Sequence, residues 1–203
     1  MAISNYDKAR DAASAHFAEY DQQKMIDKFA LDHDGEYIYI NFTGARYSVD
    51  RLTGEVTVDG KKAGYNEAMS IYDVLCCSKD DCRLSGRYID LQNAGGAVRS
   101  SVLTGAPYLR ASELFTGHTV ELSAACESIG GVKTTVGDVA YILPAFDFLP
   151  MVLRFWDADD EFPANLRILW DENFPDFIRY ETAHLVTSHV LETLSAHMQI
   201  SGK

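Results

Sequence analysis

The spacing of apolar positions changes repeatedly along the chain, and each change marks an element. Tyr6, Ala9, Ala13, Phe17 and Tyr20 recur at three- and four-residue intervals among Asp, Lys and Gln, which predicts helix through the first thirty residues with Ser4 as its cap. After Asp32 to Gly35 the period falls to two across Glu36 to Phe42, Arg46 to Val49 and Val56 to Val58. Thr43-Gly44 and Leu52-Thr53-Gly54 supply the turns of a small antiparallel meander. Helical spacing returns from Asn66 to Ser78 and puts Ala68, Met69, Tyr72, Leu75 and Cys76 in one stripe. Arg87 to Leu91 reads as a strand, and Asn93 to Gly105 as a loop or loose hairpin.

The second half repeats the contrast. Helical spacing from Tyr108 to Ser128 is interrupted by Gly117, which predicts one helix ending at Phe115 and another capped by Thr119. Gly130-Gly131 closes that region, and Asp138 to Leu143, Leu149 to Trp156 and Asn165 to Trp170 are strand-like runs of Val, Ile, Leu and aromatics. An acidic tip joins the last two as a hairpin. Pro175 leads into a closing helix from Tyr180 to about Gln199, with Ala183, Val186, Val190, Leu194 and Met198 inward. Strands come in runs and do not alternate strictly with helices, so the expected fold is α+β: mainly antiparallel sheet with helices packed on one side, and helices at both ends. A single domain over residues 1–203 is expected, with 1–60 as a conceivable sub-domain.

Composition narrows the function classes. Hydrophobic residues at 47% and charged ones at 24% are ordinary globular values, and the longest apolar run, near Tyr141 to Phe155, is broken by Pro144, Asp147, Pro150 and Arg154. No membrane partner is expected. The charged N-terminus lacks a signal-peptide core, which predicts the cytoplasm. Eighteen basic against thirty acidic residues give a net charge of −12, which repels a phosphate backbone and argues against nucleic acid. Nine acids against three arginines between Asp147 and Glu181 concentrate half of that excess in one region.

In this order of elements, Gly137-Asp138 before a strand, the run from Leu149 through Trp156, and Asp160-Glu161-Phe162-Pro163-Ala164 carry a family likeness, completed by Leu169-Trp170-Asp171 and the closing helix. The chain resembles the uncharacterised prokaryotic family called domain of unknown function 3786, over nearly its whole length. The resemblance implies no catalytic residue. Some similar proteins join this domain to a four-cysteine iron–sulfur segment, which implies a link to anaerobic redox metabolism, and this sequence has no such segment.

Candidate chemistry is sparse. Cys76, Cys77, Cys82 and Cys126 lack a C-x-x-C spacing. On a helix, neighbours point about 100° apart, which sends Cys76 into the apolar stripe and Cys77 to solvent, leaving Cys77 and Cys82 as the redox candidates. No H-E-x-x-H motif occurs among the six histidines. His197 falls on the buried stripe, and His118 beside Gly117 is the one candidate acid or base. Asp157, Asp159, Asp160 and Glu161 form a tip rich in carboxylates, read either as a solvated turn or as divalent-metal ligands. It fails as an EF-hand, since Phe162 and Ile168 would fall where glycine and glutamate are needed. Trp156, Trp170 and Asp171 flank the tip as further ligand-binding candidates, though two aromatics on adjacent strands ordinarily form a cross-strand core pair. G-x-S-x-G, phosphate-loop and dinucleotide glycine motifs are missing. The sequence therefore implies no cofactor. It reads as a non-catalytic accessory protein binding a small ligand or a protein, in anaerobic redox or cofactor metabolism. The alternatives are a divalent-metal-dependent hydrolase or lyase on residues 157–161, and a structural subunit of an oligomer.

Overall fold

The computed structural model describes residues 4–91 and 106–198. Two helices, α1 (Asn5–Phe17) and α2 (Gln22–Phe29), occupy the stretch where periodicity predicts one. Ser4 caps α1, accepting from the Asp7 N–H at 3.1 Å. The break follows from Asp21, whose carboxylate accepts from the Lys24 N–H at 3.1 Å and so starts a second helix. Tyr20 falls in the turn between them and is 44% exposed, while Phe17 is fully buried.

The meander comprises β1 (Tyr37–Phe42), β2 (Ala45–Asp50), β3 (Val56–Val58) and the short β4 (Lys61–Lys62), paired antiparallel in that order. Thr43 and Gly44 both take left-handed backbone angles, the two-residue hairpin turn whose twist matches its strands. Then follow α3 (Tyr65–Cys77), β5 (Tyr88–Asp90), α4 (Ala106–Phe115), α5 (Thr119–Ser128), β6 (Val132–Lys133), β7 (Val139–Phe146), β8 (Leu149–Trp156), β9 (Asn165–Asp171), a 3-10 turn at Phe174–Asp176 and α6 (Tyr180–His197). Thr119 is the first residue of α5, and His118 stands at the cap position without a capping bond from its side chain. The stretch 93–105 lies outside the described residues.

Among the described residues the strands run β4-β3-β2-β1-β7-β8-β9-β5, with β6 on the free part of the β7 edge. The meander meets the C-terminal strands at one point, where Phe42 pairs with Phe146 and the Thr43 N–H donates to the Ala145 carbonyl at 2.9 Å. Stacking of the two Phe rings at 4.7 Å reinforces this narrow junction.

Tyr141, Leu143, Met151, Leu153, Phe155, Ile168 and Trp170 fill one face of β7–β9 and are buried, while Arg154, Trp156 and Arg167 on the other face reach solvent. The helices pack on the filled face: α6 touches α3, α4 and α5, and α5 touches β7. The α+β architecture expected from the strand runs is thus the one observed. Ala183, Val186, Val190, Leu194 and Met198 of α6 are buried as their spacing requires. His197 departs from that stripe: it is exposed at the helix end, with Nδ1 2.8 Å from the Ser128 hydroxyl. Helix α3 buries more than its predicted stripe, adding Ser70, Ile71, Asp73 and Val74, because α1 and α6 cover two of its sides. No helix among the described residues is long and apolar enough to cross a membrane.

Candidate functional site

The β8–β9 hairpin places its carboxylates on backbone donors. Asp157 accepts from the Gly117 N–H at 2.9 Å and from its neighbour Ala158 at 2.8 Å. Asp138 accepts from the Asp157 N–H, and Asp159 accepts from Glu161 and Phe162, closing a local turn. Asp160 and Glu161 stand exposed at the tip. These bonds shape the turn and anchor it to the break between α4 and α5. His118 follows Gly117, and its Nδ1 lies 3.7 Å from Glu121 of its own helix. Among the described residues no three His, Cys, Asp or Glu side chains are arranged to hold a metal ion.

The flanking candidates part company. Trp156 pairs with Asn165 and Trp170 with Met151, so the two tryptophans sit at opposite ends of the hairpin and on opposite faces. The cross-strand pair expected between them does not form. Trp156 borders a shallow trough of about 750 Å³ with Asp138, Phe162 and Arg167, the guanidinium lying 5.9 Å from its ring centre. Trp170 is fully buried, its indole N–H donating to the Thr187 hydroxyl of α6 at 3.3 Å. Asp171 is buried too, accepting from the backbone N–H groups of Ser85, Gly86 and Asn173 at 2.8–3.0 Å. Burial works against its charge, but the three donors outweigh it and hold the carboxyl below its usual range. Asp171 ties the 83–87 loop to the end of β9.

The cysteines divide by exposure. Cys126 is buried and Cys76 half-buried, and burial pushes each thiol up to about 12. Cys82 is half-buried and also raised by burial. Cys77 is exposed at the end of α3, where the Arg179 guanidinium donates to its sulfur at 3.0 Å. The same guanidinium donates to the buried Asp73 at 2.7 Å, fixing the start of α6 against α3.

A groove between the start of α3 and the outer side of α6 has a different character. It encloses about 740 Å³ and is lined by Tyr6 and Tyr65, by Asn66 and Glu67, and along α6 by Leu185, His189, Glu192, Thr193 and Ala196. Gly64 precedes α3, and the Glu67 carboxylate turns back to accept its N–H, half of a capping box. The other oxygen of Glu67 accepts from the Tyr47 phenol at 2.8 Å. Burial, aided by that bond, raises the Tyr47 pKa and keeps it a donor. The His189 ring lies flat on Phe42 at 4.6 Å, over the strand junction. Burial lowers the His189 pKa, and the charge of Glu67 offsets this only in part, so the imidazole is neutral at pH near 7. Tyr6 and Tyr65 meet edge to face at 5.0 Å and form the aromatic wall.

This is where concavity, aromatic surface and perturbed titratable groups coincide, the combination that marks a functional-site candidate. Sequence reasoning missed it. The Gly64-to-Glu67 spacing is a visible cue, but Tyr47 and Phe42 meet Glu67 and His189 only through the fold. A family model described as Domain of unknown function (DUF3786) matches residues 21–193. No curated protein and no solved structure matches the chain.

Proposed function

The chain belongs to the domain of unknown function 3786 family, and since that description names no activity, we propose from the geometry a non-catalytic module that binds a small organic ligand in the α3–α6 groove. One observation carries this reading: two polar groups of the groove are held in place before any ligand arrives. Glu67 is held by Tyr47 and Gly64, and His189 by Phe42. Such pre-organised acceptors beside apolar and aromatic walls favour recognition, because little side-chain freedom remains to be lost on binding. A role in redox or cofactor metabolism draws only on the make-up of similar proteins.

The test is a thermal-shift screen of small polar metabolites. A ligand should stabilise the fold with the logarithm of its concentration above Kd, by about 2.7 kcal/mol at a hundredfold excess. Ala196→Trp fills the groove from an exposed helix position and should abolish that shift with little change in the unliganded midpoint. Turnover of the ligand, or stabilisation that survives Ala196→Trp, would overturn the reading.

A further inference from the structure

The geometry points to an organic cation as the occupant of this groove: an ammonium group on a straight alkyl chain, free in solution. The inference rests on the α3–α6 groove being the binding site, and it is carried by the chemistry of the lining. Two carboxylates, Glu67 and Glu192, and two phenol rings face the space, and among the described residues no Lys or Arg lines it. Carboxylates accept hydrogen bonds from an ammonium, and the faces of Tyr6 and Tyr65 attract the same charge. Asn66 and Thr193 add neutral acceptors. The Glu67 oxygens retain lone pairs beyond those used by Tyr47 and Gly64.

The one feature that favours an anion is the positive end of α3, which opens on the groove. Glu67 in the first turn sets a full negative charge against that partial positive one, so the local balance is negative. His189, uncharged near pH 7, adds an aromatic edge and no competing cation. Leu185 and Ala196 lie eleven residues apart on α6, about 16 Å of groove, which suits a chain better than a compact ion. The chain's net charge of −12 adds long-range attraction.

The experiment titrates isotope-labelled full chain with cadaverine, spermidine, an oligolysine peptide, the matching neutral diol and glutarate, followed by NMR at moderate salt. Both amines should shift the Tyr65, Asn66 and Thr193 amides, and the diol and glutarate should not. Glu192→Gln should weaken amine binding by about threefold or more, the worth of a solvent-facing ion pair. Glu113→Gln, the same change of net charge at an exposed position on α4, should leave it unchanged. If the diol or glutarate moves the same amides as strongly, the cation is wrong and the groove reading stands. Response to an oligolysine peptide alone overturns the free amine. If none of these probes moves the groove amides, the cation assignment fails, and the metabolite screen with Ala196→Trp decides the groove separately.

Discussion

A single carboxylate shows how much of this fold hangs on local charge. Asp171 is fully buried and accepts from three backbone N–H donors, so the stability it contributes depends on its remaining ionised. Asp171→Asn keeps the shape but turns an amide NH₂ towards donors, and should cost about 2 kcal/mol at neutral pH. The sign with pH follows from its lowered pKa. Asp171 contributes stability above the unfolded value of about 3.9, and the contribution is lost as pH falls through the lower folded value. Denaturant midpoints of wild type and variant should therefore differ most near neutrality and converge in strong acid. A constant difference across that range would rule out the charge as the cause.

Among the elements, α1 and the meander test how tightly a turn can be specified. Gly54 has φ +73°, and a Cβ there would lie 2.3 Å from the Ser14 carbonyl oxygen of α1. Gly117, between α4 and α5, has φ +74° but open space around it. Both substitutions to alanine carry left-handed strain of about 1–2 kcal/mol, and only Gly54→Ala adds a backbone collision. Chemical denaturation should give about 1 kcal/mol for Gly117→Ala and about 2–4 kcal/mol for Gly54→Ala. The turn at Leu52-Thr53-Gly54 was legible as a turn, but its contact with α1 was not. The same division holds elsewhere. The stripe of α6 and the β8–β9 hairpin follow from a 3.6 or 2.0 period that any window reveals. The α1–α2 break depends on one capping carboxylate, and β4 and β6 are two residues long, too short for any period to register. The hairpin acids announced themselves by density, yet density does not say that Asp157 and Asp159 spend their oxygens on backbone donors.

For the whole molecule, the packing of α6 onto the sheet sets a pH limit that composition does not suggest. Burial lowers the pKa of both His184 and His189 on this helix. Among the described residues the buried Nε2 of His184 has no hydrogen-bond partner, its ring edge-on to Tyr180 at 5.0 Å, and His189 lies on Phe42. The unfolded chain takes up these protons near pH 6.5, before the folded one does. Stability is therefore whole above about pH 6.5 and falls below it, at no more than about 1.4 kcal/mol per pH unit for each histidine, until the folded values are passed. Glu181 beside His184 and Glu67 beside His189 moderate the slope by favouring the imidazolium. The net charge of −12 acts in the opposite direction, since mild acid relieves self-repulsion. That long-range effect is screened at about 0.15 M salt, while the buried rings are not. Stability measured at this salt should accordingly decline from pH 7 towards pH 5, and His189→Gln should flatten part of the decline while lowering stability at pH 7. If the slope is the same with and without His189, its ring is not buried as an uncharged group, and the groove loses the neutral aromatic edge it offers a cation.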